Sequence, residues 1–365
     1  MQIKEITQYI ESIAPLAYQE SYDNAGLIVG NANDEVSGIL ITLDITEEII
    51  DEAIRKGLNL VISHHPIVFS GLKKLNGRNY VERSVIKAIR NNIAIYSAHT
   101  NLDGVFGGVN SKICEKLKLQ NCRMLVPMQG FLKKLVTFVP TEDAESVRTA
   151  LFEAGAGHIG NYDSCSYNLT GQGSFKANEK ANPYVGEKNK LHFEQEIRIE
   201  TIFPKHLQHT VIDALLKAHP YEEVAYDIYP LDNDFALGGT GMIGELAEPA
   251  DEHHFLQTIK ETFHCQALKH TSLLGKPINK VAVCGGSGSS FLSKAMAQNA
   301  DIYISADFKY HQFFDAEQKI IIADIGHYES EQFTKEVFYE LLTKKFPKFA
   351  VHLSEISTNP VSYLI

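Results

Sequence analysis

Two adjacent histidines, His64 and His65, offer the residue type that most often binds metal ions. They stand in Ser63–Pro66, directly after the apolar run Leu58–Ile62. That run has the length and β-branched content of a buried strand, and Pro66 ends it because proline cannot donate to a β-ladder. Both imidazoles are therefore predicted at the carboxyl end of a strand, the edge where open α/β sheets bind ligands.

Two further pairs of possible metal ligands follow other predicted strands. His99 and Asp103 stand four positions apart after one strand, and His327 and Glu331 repeat that spacing after another. Residues four apart share a helix face, so each pair could hold one ion. Imidazole and carboxylate without thiolate suit Zn, Mn, Fe or Co. An open catalytic ion uses about three protein ligands. The sequence offers more candidate ligands than one such ion needs, which predicts two ions about 3.5–4 Å apart.

Each pair also has a simpler interpretation. His327 and Glu331 could form only a hydrogen bond on a helix surface, and His99 could support a ligand without binding metal itself. The shared position at strand ends favours the metal site.

The elements that would position these residues alternate between strand and helix. Strands are predicted over Gly38–Leu43, Leu58–Ile62 and Ile93–Ser97, with helices over 46–57 and about Tyr80–Asn91 between them. This order predicts parallel pairing with right-handed crossovers.

The middle of the chain has a different pattern with an internal repeat at an offset of 64 residues. The matching positions are Thr137, Pro140, Val147, Ala150, Leu151, Ala154, Tyr162 and Asp163, which recur as Thr201, Pro204, Val211, Ala214, Leu215, Ala218, Tyr226 and Asp227. Two strand–helix–strand copies predict a ferredoxin-like α+β domain, with chance matching of small apolar residues as the alternative. Within it, Ile159–Asn168 is predicted as a strand and Thr170–Asn189 as an exposed loop. Tyr162, Tyr184 and Tyr226 are interpreted as sheet-face packing rather than as a ligand-binding cluster.

After a predicted hinge at Gly238–Gly241, the α/β alternation returns, and a long helix is predicted over about Tyr328–Lys344. We therefore predict an α/β fold in which two halves form one metal-binding domain, interrupted by an inserted α+β domain. The predicted boundaries are 1–128 for the first half, 129–235 for the insert and 236–365 for the second half.

The composition limits the classes of function. The chain has 365 residues, 44% hydrophobic and 22% charged, and a formal net charge of −11, which makes nucleic acid an unlikely partner. Five scattered cysteines without a Cys-x-x-Cys motif argue against a disulfide framework and a thiolate zinc site. No signal peptide and no apolar run of about 18 residues is evident, so we expect a cytoplasmic protein that neither spans nor binds a membrane.

Four motifs together resemble the GTP cyclohydrolase I type 2 homologs, the Ngg-interacting-factor-three-like proteins with a dinuclear metal centre. The motifs are Asp23–Leu27, Ser63–Pro66, His99–Asp103 and Gly326–Glu331. The resemblance implies that His64, His65, Asp103, His327 and Glu331 bind two divalent metal ions, that Glu331 bridges them, and that His99 lies at the same site. It also implies a PII/CutA-like insert and a homohexamer built from two trimers.

Two departures from the family pattern stand near the site. Tyr22 replaces a common Trp, and Ser305–Asp307 replaces Thr-Gly-Asp. Asp307 and the nearby His311 could line the metal cavity or could cap a helix.

The leading functional hypothesis is a metal-dependent hydrolase in which metal-activated water attacks a small molecule, a nucleotide or phosphoester-type substrate. His99 would act in catalysis as a proton shuttle. The alternative is a non-catalytic, metal-binding hexameric scaffold or regulatory protein whose insert senses a ligand, so enzyme activity stays open. The glycine-rich Cys284–Ser290 stretch could cradle phosphate or form an ordinary βα turn.

Overall fold

The computed structural model describes residues 1–364. The chain divides into two compact units: Met1–Val126 together with the chain from Gly238 onward, and Pro127–Leu237. None of the helices within residues 1–364 combines the length and apolarity that crossing a bilayer requires.

The strands of the described chain are numbered along the sequence: β1 (Gly26–Val29), β2 (Ile39–Thr42), β3 (Leu60–Ser63), β4 (Ala94–Ser97), β5 (Gln120–Met128), β6 (Leu132–Pro140), β7 (Tyr167–Lys176), β8 (Leu191–Pro204), β9 (Tyr226–Pro230), β10 (Phe235–Ala250), β11 (Lys269–His270), β12 (Ile278–Val283), β13 (Ile302–Ser305), β14 (Ile321–Asp324) and β15 (Val351–Leu353). The helices are α1 (Ile3–Ile13), α2 (Glu47–Lys56), α3 (Tyr80–Arg90), α4 (Thr100–Asp103), α5 (Val109–Lys116), α6 (Ala144–Glu153), α7 (Gln208–Ala218), α8 (Glu252–Thr262), α9 (Leu292–Ala297), α10 (His327–Glu331) and α11 (Thr334–Lys345).

The first sheet has the order β1–β4–β3–β2–β15. β15, β2, β3 and β4 pair in parallel, and β1 is antiparallel to β4. The parallel sheet predicted from the strand–helix alternation is therefore confirmed. Local sequence features determine where α2 begins and ends. The Thr46 side chain accepts a hydrogen bond from the Ile49 N–H, and Gly57 ends the helix with a φ of 68°.

The second sheet has the order β11–β14–β13–β12–β10–β5, with β12, β13 and β14 in parallel. Two predictions are wrong in this region. Gly238–Gly241 is not a hinge, because it lies inside the long strand β10. The single helix predicted over Tyr328–Lys344 is two helices, α10 and α11, separated where the Phe333 ring packs against Phe263 at 5.8 Å.

The unit Pro127–Leu237 is built on an antiparallel sheet of order β7–β8–β6–β9. α6 and α7 cover one face of this sheet. The core between them is apolar and buried: Leu135, Val139, Val147, Leu151, Ile199, Phe203, Val211 and Leu215. The Thr137 hydroxyl donates to the Ala225 carbonyl at 3.0 Å, and the Thr201 hydroxyl donates to the Cys165 carbonyl at 2.9 Å. These equivalent roles support the predicted internal repeat.

The second strand of this unit, β7, is not where the sequence predicts it. β7 runs through the predicted loop, whereas Ile159 only forms an isolated bridge with Tyr162. Pairing with the long strand β8 explains the difference, because a ready partner strand outweighs weak local propensity. The packing interpretation fails for Tyr162 and Tyr184, which are 75% and 57% exposed, whereas Tyr226 packs against the core.

Candidate metal centre

The polar residues of the site follow the ends of three neighbouring strands. Thr42, Ser63 and Ser97 end β2, β3 and β4 and are partners in the sheet register. The two serine hydroxyls share a hydrogen bond of 2.7 Å, which aligns the ends of β3 and β4. The residues that follow are Asp44 after β2, His64 and His65 after β3, and His99 after β4. Parallel pairing therefore delivers these side chains to one edge of the sheet.

Glu331 joins this cluster from the second half of the same unit. β14 ends at Asp324, and the short helix α10 begins at His327 and ends at Glu331. Glu331 Oε2 lies 3.0 Å from His65 Nε2 and 3.1 Å from His327 Nε2, and Oε1 lies 3.8 Å from His64 Nε2. Asp103, at the end of α4, places Oδ1 3.6 Å from His64 Nε2.

All six residues predicted as ligands or as the catalytic group thus lie in one cluster. Their ligand atoms form three overlapping groups, each with all its atoms within 4.8 Å of one another: His64, His65 and His99; His65, His327 and Glu331; His64, Asp103 and Glu331. Overlapping groups of three are compatible with more than one ion.

Every imidazole of the cluster is held through its Nδ1 atom. The partners are Ala98 O for His64 (2.9 Å), Asp44 Oδ1 for His65 (2.7 Å), Asp23 Oδ1 for His99 (2.8 Å) and Asp307 Oδ2 for His327 (2.7 Å). A carbonyl can only accept, so His64 carries its proton on Nδ1. Support of this kind is typical of metal-binding histidines, because it fixes the ring and leaves the Nε2 lone pair for the ion.

The carboxylates around His65 and His327 change the basicity of these rings. Burial lowers the pKa of His65, but the adjacent carboxylates of Asp44 and Glu331 outweigh burial and raise the pKa to about 10. Burial also lowers the pKa of His327, but the carboxylates of Glu331 and Asp307 outweigh burial and raise the pKa to about 9. His64 differs, since its complete burial lowers its pKa. Without a metal ion, the site therefore holds protons where cations would lie.

The two carboxylates of the cluster are driven in opposite directions. Burial and repulsion from Glu331 raise the pKa of Asp103 well above its usual value. Burial also opposes ionisation of Glu331, but the neighbouring histidines outweigh it and lower the pKa of Glu331 well below its usual value. Two adjacent carboxylates with diverging pKa values indicate excess negative charge in a buried space.

The donor set fits a divalent cation. Among the described residues, His64 Nε2, Asp103 Oδ1 and Glu331 Oε2 are buried without an aligned hydrogen-bond partner, although Glu331 Oε2 lies close to two imidazoles. Once the histidines lose their Nε2 protons, nitrogen and oxygen lone pairs would face one another across a small buried space, an arrangement that a metal cation stabilises. Gly286 completes the enclosure, because a Cβ at this position would overlap Glu331 Oε1.

Comparison with known proteins identifies the family of this chain. The family model described as Duf34/NIF3 (NGG1p interacting factor 3) matches residues 1–360. The chain belongs to the Duf34/NIF3 family. This membership confirms the resemblance drawn from the four motifs.

Relatives of the Duf34/NIF3 chain match it over almost its full length. A protein of Bacillus subtilis named "GTP cyclohydrolase 1 type 2 homolog" is 39% identical, with 99% of this chain and 98% of the relative covered. A relative of the same name from Halalkalibacterium halodurans is 38% identical, with 98% of each covered. The crystal structure of a Bacillus cereus protein related to NIF3 superposes with a TM-score of 0.86 at 39% identity, covering 100% of this chain and 99% of that one.

Sequence reasoning on this Duf34/NIF3 chain missed the aspartates that hold the histidines. Asp44 follows a predicted strand directly, so its place at the same sheet edge was a usable signal. Asp23 stood in a recognised motif without a role, yet it accepts hydrogen bonds from the Thr100 N–H (3.0 Å) and hydroxyl (2.5 Å) as well as contacting His99. These interactions outweigh burial and lower the pKa of Asp23 to about 2.

The two residues predicted to line the cavity have different outcomes. Asp307 lies in the lining and contacts His327, with its backbone in the left-handed region at a φ of 59°. His311 lies outside the described lining, exposed on a 3₁₀ turn, with its ring 5.2 Å from that of Tyr310 and 6.3 Å from that of Phe314. Non-glycine residues with positive φ cluster at functional sites, which suits Asp307 as a support of His327.

A cavity of about 650 Å³ adjoins the metal cluster within the Duf34/NIF3 fold. His65, His99 and His327 line it together with the rings of Phe69 and Tyr328. This volume is sufficient for a nucleotide-sized molecule.

The glycine-rich loop after β12 forms a turn rather than a phosphate cradle. The N–H groups of its three glycines already bond within the chain: Gly285 to Asn110 Oδ1 (2.9 Å), Gly286 to Ser330 Oγ (2.9 Å) and Gly288 to Ser305 Oγ (3.1 Å). These donors are therefore engaged with protein acceptors instead of facing a ligand.

Proposed function

We propose that this chain is a hydrolase dependent on two divalent metal ions and acting on a small nucleotide or phosphoester-type substrate. The observation that carries the proposal is the cluster of inward-facing Nε2 atoms and carboxylates beside an accessible cavity. Zn, Mn, Fe or Co suits these donors. The printed name of the relatives, "GTP cyclohydrolase 1 type 2 homolog", makes GTP the first nucleotide to test.

His64, His65, Asp103, His327 and Glu331 would hold the two ions. Bound there, the ions would supply Lewis-acid activation of water and would neutralise charge that develops on the substrate. The chain itself orients the ligands through the Nδ1 contacts, so little reorganisation is needed when substrate binds.

His99 is the group proposed to move a proton. Asp23, with a pKa of about 2, stays ionised at neutral pH and keeps the His99 Nδ1 proton in place. The Nε2 atom is then the one that exchanges a proton in the cavity, which His99 lines.

Turnover by the reconstituted protein tests the proposal. The purified chain is loaded with Zn or Mn and incubated with GTP and a panel of phosphoesters, in parallel with Asp103→Ala and the control His311→Ala. We expect hydrolysis of at least one substrate by the wild type and His311→Ala, and its loss in Asp103→Ala. Equal background rates in all three proteins would refute a hydrolase of this substrate class.

A metal-dependent scaffold is the second candidate, and the origin of the ligands favours it. His64, His65 and Asp103 precede the Pro127–Leu237 unit in sequence, and His327 and Glu331 follow it. Ions bound by both segments would tie the two halves of one unit together and would stabilise it by mass action. Loss of assembly on chelation, without any turnover before it, would support this role.

We further infer that the Pro127–Leu237 unit is a ferredoxin-like insert. Its strand order and its two helices on one face support the assignment. The homohexamer implied by the family resemblance and the cytoplasmic location both stay predictions. Light scattering after size-exclusion chromatography tests the hexamer, and a mass near that of a monomer would contradict it.

A further inference from the structure

A second cavity, of about 700 Å³, lies wholly within the Pro127–Leu237 unit. Its floor is the sheet face opposite the helices. Along β8, Ile197 and Ile199 pack toward α6 and α7, so Glu196 and Arg198, which alternate with them, point to the other face. Chain segments around Tyr184 and Tyr221 form the walls above this floor.

Glu196 is the buried charge of this cavity. Only 9% of its surface is exposed, and its described hydrogen bond comes from the Tyr221 hydroxyl to Oε1 at 3.0 Å. Over residues 1–364, no Lys, Arg or His side chain lies within ion-pair distance of this carboxylate. A buried carboxylate with only a neutral partner is costly, and a cation brought by a ligand would offset that cost.

Three aromatic rings stand around the space above Glu196. The Tyr221 ring lies 6.1 Å from Phe175 and 6.2 Å from Tyr184, at interplanar angles of 61° and 51°. Inclined rings at these distances form the sides of a cage rather than a slot for one flat molecule. The faces of such rings carry partial negative charge and attract ammonium groups.

The remaining charges of the lining do not cancel Glu196. Glu222 and Glu223 also line the cavity, and Lys176 and Arg198 are its cations. The Arg198 guanidinium pairs with Glu200 at 2.9 Å, and Glu200 also pairs with Lys134 at 3.0 Å. Even with Arg198 counted in full, the lining has three carboxylates and two cations. The lining therefore has an excess of negative charge.

His219 fixes the position of Tyr221. Its Nδ1 accepts a hydrogen bond from the Tyr221 N–H at 3.1 Å, and its Nε2 therefore donates to the Phe138 carbonyl at 3.0 Å. His219 is buried, so this connection between β6 and the cage is protected from solvent. The cage and its carboxylate are thus preorganised, which favours ligand binding.

We propose that this cavity binds a small organic cation, a molecule with a protonated amine or a quaternary ammonium group. The charge lies against Glu196 and between the rings of Phe175, Tyr184 and Tyr221, and the apolar part of the molecule occupies the rest of the cavity. This site is separate from the metal cluster and does not depend on the hydrolase proposal.

Calorimetric titration of the metal-loaded, full-length protein tests the proposal, with saturation-transfer NMR as a second readout. The probes are choline, n-butylamine, and the neutral analogue of choline in which carbon replaces nitrogen. We expect saturable binding of at least one cation, with affinity at least about tenfold higher than that of the neutral analogue.

Variants locate the binding site. Glu196→Gln keeps an acceptor for Tyr221 but removes the charge, and we expect it to lower cation affinity about tenfold or more. Tyr184→Leu removes an exposed wall with little risk to folding and should also weaken binding. Glu194→Gln, two positions away on the same strand and outside the lining, should bind as the wild type does. The proposal is overturned if neither cation binds, if the neutral analogue binds equally well, or if Glu196→Gln leaves the affinity unchanged.

Discussion

The Nε2 atoms of His65 and His327 face each other at 3.4 Å, although 262 positions separate the two residues. Both rings are held from behind by aspartates, and Glu331 Oε2 lies at 3.0 and 3.1 Å from the two nitrogens. Two ring nitrogens and an oxygen thus share a space with room for one positively charged partner. In the metal-free chain at neutral pH both rings carry protons, and a metal ion would displace them.

Proton release should accompany metal binding. With pKa values of about 10 and 9, His65 and His327 hold protons at neutral pH in the metal-free chain, and a bound cation must displace them. Metal affinity should therefore rise with pH up to about 10, because less proton displacement is then required. Titration of Zn or Mn in a weakly buffered solution measures the protons released. An affinity that is flat between neutral pH and pH 9 would contradict this linkage.

Glu331→Gln should sharply reduce metal binding while preserving side-chain size. The substitution removes the carboxylate that lies near His64, His65 and His327, so we expect affinity to fall at least about tenfold. Mass spectrometry of metal content after dialysis measures the loss. His311→Ala should retain the wild-type content, and equal metal content in Glu331→Gln would remove Glu331 from the ligand set.

Thr358 should act on the site without touching an ion. Its hydroxyl donates to Asp44 Oδ2 at 2.6 Å, and Asp44 in turn holds His65. Thr358→Val keeps the shape but removes the donor, so metal affinity should fall about tenfold. Thr358→Ser keeps the hydroxyl and should bind metal nearly as the wild type does. Identical affinities for the valine and serine variants would show that this hydrogen bond is not needed.

Gly286→Ala should damage the metal site through Glu331. The added Cβ would overlap Glu331 Oε1, and the residue would also adopt a φ of 62°. Gly275→Ala is the matched control, because its φ is 72° but nothing lies within 4 Å of the added atom. Both variants should lose about 1–2 kcal/mol from the unfavourable backbone conformation. Only Gly286→Ala should lose metal affinity, and parallel thermal denaturation and metal titration separate the two effects.

Glu52 should stabilise the fold in a pH-dependent way. Burial raises its pKa, but bonds from Lys56, Ser354 and the Glu355 N–H outweigh this and lower it overall. Because the pKa of Glu52 is lower in the folded protein than in the unfolded chain, its stabilisation is fully present above pH 4.5, the pKa in the unfolded chain. The stabilisation is lost as pH falls through the pKa in the folded protein. Glu52→Gln should therefore cost about 1–3 kcal/mol at neutral pH and less in acid.

Urea denaturation at several pH values measures the contribution of Glu52. The control is Glu355→Gln, whose exposed side chain also pairs with Lys56 and should contribute less than about 1 kcal/mol. A loss in Glu52→Gln that does not change with pH would contradict the ionic origin of the effect.

Local sequence signals were sufficient for the parallel strands and for the ligands at their ends. The apolar run Leu58–Ile62 and the cap at Thr46 are short-range features: the cap forms as predicted, and the strand forms over Leu60–Ser63. Strand-end placement then brought His64 and His99 together, because parallel pairing aligns the ends of neighbouring strands.

The features of the structure that the sequence does not predict depend on contacts between distant residues. β7 forms on the edge of β8 despite its two glycines, and no local pattern of residues 167–176 reports that partner. Asp44 and Asp307 gain their roles only when the imidazoles of His65 and His327 approach them. The division between α10 and α11 likewise follows from tertiary packing of Phe333.

The polypeptide leaves the unit that holds the histidine cluster along β5 and returns along β10, and these two strands are neighbours in one sheet. Beyond their ends, the Gln129 side chain donates to Asp234 at 3.2 Å, so exit and re-entry lie side by side. A short hairpin could bridge that gap without rerouting any other strand. Residues 127–237 are thus joined to the rest of the chain at two adjacent points, and we expect a variant in which a short hairpin replaces them to keep the histidine cluster.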